Sequence, residues 1–320
     1  MQLSSLQNQK FYDILLHGDK MKNKFIGIGI LLFTTIIWGS AFVSQSIAME
    51  YMGPFSFQAI RCAIATVGLL PVIAISDKFQ PVGQSYWRRW KNKKIWIAGI
   101  LCGIPLFIAC NLQQLGLAED TDPGKSGFLT AMYVVIVPII GLFRKKKMSI
   151  MIPISVTLAV IGLYFLSCMG ATTISLGDLL TLGCALMFAI QITFVDIFAT
   201  DIDPFRVNTI QALVCAILSG AIAIFSETVS WHGIGASIIP LIHVGFFSMG
   251  LGYALQIIGQ KKTDPTLASL IMSLESVFAV IFGWLLCDDK LTPWETIGCI
   301  LVFSAVIVSQ LEFKRKKPKE

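Results

Sequence analysis

Charge is what this chain has least of. Asp, Glu, Lys and Arg make up 14% of its 320 residues, against 55% hydrophobic. A soluble domain of ordinary composition carries about a quarter charged residues, so that class is excluded. Histidine is scarcer still, with His17, His232 and His243 the whole set. The eight cysteines include no C-x-x-C pair, so no metal-ligand spacing is present, and neither a metal nor another cofactor is expected. Most of those cysteines (Cys62, Cys102, Cys110, Cys168, Cys184, Cys215, Cys287 and Cys299) sit inside apolar runs and read as small packing residues. The run that a phosphate-binding loop needs before Lys125-Ser126 is missing. The basic residues never gather into one surface, as a nucleic-acid partner would require, but lie in short clusters between apolar runs.

What is there is apolar length. Mean hydropathy is +0.74, and ten runs are long enough for membrane-spanning helices: about 25–48, 55–76, 95–118, 125–142, 150–167, 177–199, 205–225, 238–260, 265–286 and 293–311. Residues 1–24 are polar, lack a cleavable-signal pattern and read as a short cytoplasmic tail, although Met21-Lys22-Asn23-Lys24 is itself a plausible start. With the N-terminus inside, 22 of the 25 Lys and Arg fall on the cytoplasmic side. Lys125 and Lys290 are opposite and Arg61 lies within a span, which is the bias expected of cytoplasmic loops.

The run from Thr263 to Leu286 organises the rest, because Glu275 lies ten residues past Pro265, roughly 15 Å deep at 1.5 Å per residue. An acid at that depth costs several kcal/mol unless it is paired, hydrated or protonated. The same run has a counterpart upstream. Thr121-Asp122-Pro123 matches Thr263-Asp264-Pro265 at an offset of 142, at which Gln114 matches Gln256 and Tyr133 falls opposite Glu275. Pro54-Phe55 matches Pro204-Phe205 at an offset of 150. The chain therefore reads as a duplication. Five spans per half is an odd number, so the halves must insert in opposite orientations, as in transporters with inverted repeats. The expected fold is an all-α membrane protein of ten transmembrane helices in two inverted five-helix repeats, with both termini cytoplasmic. The divisions are a tail (1–24), a first repeat (25–167), a second repeat (177–311) and a basic tail (312–320).

Nearly the whole chain resembles the drug/metabolite transporter superfamily, in its EamA-like ten-helix branch. The resemblance is carried by Trp38-Gly39-Ser40-Ala41-Phe42, Arg61, Gly124-Lys125-Ser126-Gly127-Phe128-Leu129 leading to Pro138, Ala268-Ser269-Leu270, Ser273-Leu274-Glu275, Val277-Phe278-Ala279 and Lys290-Leu291-Thr292-Pro293. Two places depart from it. Ser276 replaces the proline that usually follows the span 9 glutamate and would kink that span, and Asp288-Asp289 replaces a Gly-Glu pair. The resemblance implies a multi-pass plasma-membrane carrier for small metabolites or drugs, amino acids and related compounds among them, often an exporter, and not an enzyme. Its partners are then a small-molecule substrate, the bilayer and, for a proton-coupled carrier, protons.

Candidate cavity residues are the polar and aromatic groups within spans: Trp38, Arg61, Asn111, Gln114, Tyr133, Gln191, Tyr253, Gln256 and Glu275. Lipid would leave the polar ones unsatisfied, so they should face the bundle interior. Glu275 reads either as a substrate-cation or proton-coupling group or as a packing hydrogen bond. Arg61 reads either as an anion site or as a side chain snorkelling to the outer headgroups. Asp196 lies near the inner end of span 6 and is expected to reach water, while His243 reads as a hydrogen-bonded packing residue. Gly99-x-x-x-Gly103 and Ser248-x-x-x-Gly252 suit close helix packing. The rival classes are an intramembrane serine protease, using Ser126 and His243, and a channel, for which neither a like-charged ring nor a carbonyl filter is visible.

Overall fold

The computed structural model describes residues 2–79, 86–119, 123–146, 148–167, 174–228, 231–286 and 292–311. The Thr121-Asp122 and Asp288-Asp289 turns, Cys168, Cys287, Lys290 and the basic tail lie outside the described residues. Every regular element among the described residues is helical. In chain order these are α1 (Gln2–Met49), α2 (Pro54–Lys78), α3 (Tyr86–Trp90), α4 (Lys93–Ala118), α5 (Pro123–Ala131), α6 (Tyr133–Phe143), α7 (Met151–Ser167) and α8 (Leu176–Phe194). They continue with α9 (Pro204–Ser226), α10 (Trp231–Ala236), α11 (Ile238–Ile242), α12 (Tyr253–Gln260), α13 (Pro265–Met272), α14 (Glu275–Leu286) and α15 (Pro293–Ser309). Wider π-helical turns extend α8 over Val195–Ala199 and join α11 to α12 over His243–Gly252.

Among the described residues, eight helical stretches, some spanning two of these elements, are long and apolar enough to cross a membrane. Two shorter apolar helices, Met151–Leu166 and Pro293–Ser309, stand where spans 5 and 10 were expected. Large apolar side chains such as Phe225, Phe143 and Val67 point outward from the bundle. A water-facing surface rarely tolerates so much exposed apolar area, whereas lipid welcomes it.

Helix starts are specified locally, because the first N–H groups of a helix have no partner within it. Proline occupies the first turn of α2, α9, α13 and α15, where its missing N–H costs nothing. Asn92, Asp203 and Asp264 accept from the backbone just inside α4, α9 and α13. Ser175 with Asp178 and Thr292 with Glu295 form reciprocal capping boxes.

The echo at 150 residues is structural. Glu227, just past α9, accepts from the Phe55 and Ser56 backbone N–H groups at the start of α2, both at 2.8 Å. Asp77, at the far end of α2, holds Arg206 in the first turn of α9 at 2.5 Å. Asp77 and Glu227 are themselves 150 residues apart. Each helix thus ends on an acid that closes the start of the other, which makes α2 and α9 antiparallel. Glycines repeat the pattern. A Cβ on Gly103 would meet Gln211 and Val214, and one on Gly245 would meet Arg61 and Ile64. Gly103 and Gly245 are 142 apart, and their neighbours across the contact are 150 apart. The packing role expected of Gly103 is therefore duplicated in the second half. α7 and α15 also run antiparallel, and a Cβ on Gly162 or Gly298 would press within 3 Å of the other's carbonyl oxygen.

One end of the bundle gathers basic and acidic side chains. Arg206 is fully buried there between Asp77 and Asp203, under the rings of Tyr86 and Trp90 at 5.5 and 5.4 Å. Asp196 reaches water at 19% side-chain exposure and is ion-paired as well, with Arg144 at 3.0 Å and Lys146 at 2.9 Å. This is called the Arg206 end below, and the opposite end, where α2 begins, the Glu227 end.

Candidate functional site

Two helix interruptions set the site. The run read as one helix from Thr263 is broken at Ser273-Leu274, and its counterpart in the first half is broken at Met132. The backbone tightens at both, with Leu274 N–H bonding Ile271 O and Met132 N–H bonding Leu129 O. Replacement of the family's proline by Ser276 does not straighten the helix. Ser276 Oγ instead donates to Gly127 O at 3.0 Å, anchoring α14 to α5 just past the break. The residues that restart helix after the two breaks are Tyr133 and Glu275, and the Tyr133 hydroxyl donates to Glu275 Oε1 at 3.0 Å across 142 residues of chain. Glu275 is 6% exposed and opens α14, where the helix N-terminus favours a carboxylate.

A cavity lies beside this bond. Its volume is about 40 Å³. α1 contributes Trp38, Phe42 and Gln45, and α2 contributes Arg61. α8 adds Phe188, Gln191 and Ile192, and Gln113, Thr130 and Tyr133 come from α4, α5 and α6. The second half completes the wall with Ser248, Met249, Tyr253, Gln256, Met272 and Glu275. Trp38 and Tyr253 pack ring against ring at 4.9 Å, and Tyr133 meets Phe188 edge-on at 6.5 Å. The widened turns over His243–Gly252 carry Ser248 and Met249 into the wall. Their carbonyls are satisfied from the side: Asn208 donates to Met249 O and Gly250 O at 2.9 and 2.7 Å, and Trp38 Nε1 to Ser248 O at 3.3 Å. Irregular backbone at membrane depth persists only when such partners exist.

Arg61 points inward, not toward headgroups. It is 4% exposed, its Nη1 donates to Gln45 Oε1 at 2.7 Å, and its guanidinium lies 5.3 Å from the Phe57 ring centre. Its Nε has no protein partner, and no carboxylate pairs with it among the described residues. Snorkelling is therefore replaced by a cation held at the cavity wall. Glu275 likewise pairs with no Lys or Arg among the described residues.

Seven of the nine positions singled out in the sequence line the cavity: Trp38, Arg61, Tyr133, Gln191, Tyr253, Gln256 and Glu275. Two do not. Asn111 turns to α9 and donates to Ser219 Oγ at 2.9 Å, and Gln114 is buried outside the wall. Their neighbour Gln113 takes the place expected of them and donates to Thr130 Oγ1 at 3.1 Å. Sequence reasoning also missed Phe42, Gln45 and Phe188. Gln45, a lone amide in an apolar run, carried the one signal that would have found them. His243 lies 3.2 and 2.9 Å from Ser40 and Ser44 Oγ, while Ser126 Oγ has no hydrogen-bond partner among the described residues, so the serine–histidine pair of a protease is not assembled.

The profile of the EamA-like transporter family matches the chain twice, over residues 25–168 and 175–310. The chain belongs to the EamA-like transporter family. This EamA-like protein is 32% identical over 300 residues to an uncharacterized transporter of Archaeoglobus fulgidus, covering 92% of this chain and 88% of that one. It is 22% identical over 295 residues to the uncharacterized transporter YoaV of Bacillus subtilis, covering 90% and 97%. The threonine/homoserine exporter RhtA of Escherichia coli matches at 28% over 166 residues, covering 50% of this chain and 55% of that one. A solved crystal structure with 17% identity superposes with a TM-score of 0.71, covering 88% of this chain and 96% of its own. The EamA-like chain is thus a multi-pass membrane transporter of small molecules, not an enzyme.

Proposed function

We propose that this transporter is a secondary exporter of small zwitterionic metabolites, amino acids and related compounds, across the cell membrane. Ten spans form two inverted five-helix repeats (25–167 and 177–311) with both termini cytoplasmic, so the Arg206 end faces the cytoplasm. The short helices α7 and α15, 17 residues each, are about 25 Å long at 1.5 Å per residue. They cross as spans 5 and 10 with slight thinning of the bilayer around them. The halves rock about the cavity and expose it to each side in turn.

The observation that carries this reading is the pair of opposite charges on one wall. Arg61 and Glu275 are both buried, and neither has an oppositely charged partner among the described residues. A buried charge is costly alone, and a ligand bearing both a carboxylate and an ammonium relieves both costs at once. The carboxylate docks on the free Nε edge of Arg61, and the ammonium lies against Glu275 among the rings of Tyr133, Trp38 and Tyr253, where cation–π contact adds to it. The narrow cavity suits a ligand of amino-acid size. A proton on Glu275 competes with the ammonium for the same carboxylate, which couples export to proton entry.

The test is counterflow in proteoliposomes with a panel of radiolabelled amino acids, each beside its methyl ester and its deaminated acid. R61Q should abolish the preference for the free acid over the ester, and E275Q the preference for the amine. E275Q should also lose accumulation against a gradient driven by pH while keeping counterflow. If neither variant alters which analogues compete, the zwitterion reading is wrong.

A further inference from the structure

The amide positions of the two halves do not make the same bonds. Near the Arg206 end, three glutamines from α8, α9 and α12 are linked through Gln191, with Gln211 Nε2 left without a partner among the described residues. Gln191 Nε2 donates to Gln211 Oε1 at 3.2 Å, and Gln256 Nε2 donates to Gln191 Oε1 at 3.1 Å. Each has a counterpart in the first half. Gln211 corresponds to Arg61 at the offset of 150 and Gln256 to Gln114 at 142. Gln191 corresponds to Gln45 at 146, the offset that also matches the two cavity phenylalanines Phe42 and Phe188. The counterpart set therefore lies toward the Glu227 end, and one of its two bonds is made. Arg61 and Gln45 are bonded where Gln211 and Gln191 are, with the donor reversed: Arg61 Nη1 donates to Gln45 Oε1, whereas Gln211 Oε1 accepts from Gln191 Nε2. The Gln114 side chain bonds nothing among the described residues: it is 0% exposed, and neither its amide oxygen nor its nitrogen has a partner there.

A buried amide without partners carries its full desolvation penalty, which exceeds the net gain of an ordinary hydrogen bond. The chain carries that cost at a position whose counterpart closes a hydrogen-bonded set. We infer that Gln114 is the closing residue of the Glu227 end. When the halves exchange shapes, Gln114 reaches Gln45 as Gln256 now reaches Gln191, and Gln256 lets go of Gln191. Each set is complete in one state only, so the bond gained at one end offsets the bond lost at the other and both states stay accessible. The present structure is latched at the Arg206 end, where the Asp196 ion pairs with Arg144 and Lys146 add to the closure. Gln114 acts on the ligand only through Gln45, which fixes the Arg61 guanidinium, and is a positioning residue. This inference rests on the alternating-access reading above.

The experiment uses the full chain with Ser248→Cys, which lies on the cavity wall, in right-side-out and inside-out membrane vesicles. A membrane-impermeant maleimide is added, and labelling of that one cysteine is read by mass spectrometry, so the native cysteines stay in place. Q114L removes closure of the Glu227 end. Labelling from that side should rise roughly two- to ten-fold, the value of one or two hydrogen bonds, and fall from the other side. Q256L should do the reverse. Q114N, too short to reach Gln45, should follow Q114L, and it decides the matter if Q114L does not insert. Shifts of both positions in the same direction, or no shift with Q114L and Q114N, would overturn the role of Gln114. A cavity cysteine that labels from one side only in the unsubstituted background, with and without substrate, would overturn alternating access itself.

Discussion

The two halves of this transporter share a frame and differ in chemistry. Gly103 and Gly245 admit corresponding neighbours, Asp77 and Glu227 close corresponding helix starts, and both long central helices break at matching points. Yet Arg61 stands where the other half has Gln211, and Glu275 where it has Tyr133. The difference teaches which features are constrained twice and which once. Close packing and capped helix ends are needed wherever the backbone repeats. Under the zwitterion proposal, a ligand with one positive and one negative group has no two-fold symmetry, so its receptors would occur once each.

The comparison can be broken first at the paired acids, where the effects are largest. Asp77→Ala leaves the fully buried Arg206 with Asp203 alone, and about 2–3 kcal/mol of stability should go, the low side for a broken buried ion pair because Asp203 remains. Glu227→Ala removes only a helix cap and should cost about 1 kcal/mol. Thermal unfolding in one detergent measures both, and equal losses would mean the two ends are not differently built. Next come the glycines. Gly245→Ala places a Cβ 2.9 Å from the Arg61 carbonyl, while Gly103→Ala meets its neighbours at 3.1 and 3.2 Å. Both overpack, by about 1–3 kcal/mol, with Gly245→Ala the worse and also lowering substrate affinity because α2 carries Arg61. Melting temperature and Kd together check this. The smallest effect is expected from Ser276→Pro, which restores the family's residue beside a break that already exists. It loses the bond to Gly127 O, about 1 kcal/mol, and should leave turnover within about two-fold, read in the same counterflow assay.

Much of the frame was legible in the residues. Long apolar runs mark the spans, and the echo at 142 residues points straight at the Tyr133–Glu275 contact. What was not legible is rotation. Polarity inside a span says that a side chain avoids lipid, not whether it faces the cavity or a neighbouring helix. Successive residues point about 100° apart on a helix, so Gln113 lines the cavity while Gln114 does not. The offset of 146 linking α1 to α8 rests on Phe42 with Phe188 and Gln45 with Gln191, too few matches to notice among apolar neighbours. The break before Glu275 has no proline to announce it. It is fixed by tertiary contacts, Ser276 to Gly127 and Tyr133 to Glu275, that no local rule contains.

The phenol and carboxylate that meet where the two interrupted helices cross have an evolutionary corollary. A rotation axis forces any residue beside it to confront its own copy. Two identical arms would set glutamate against glutamate, which repel, or tyrosine against tyrosine, with no anion between them. Joining both arms in one polypeptide lifts that rule and lets each be edited separately, so an unlike pair at the centre is something no homodimer of either arm can possess.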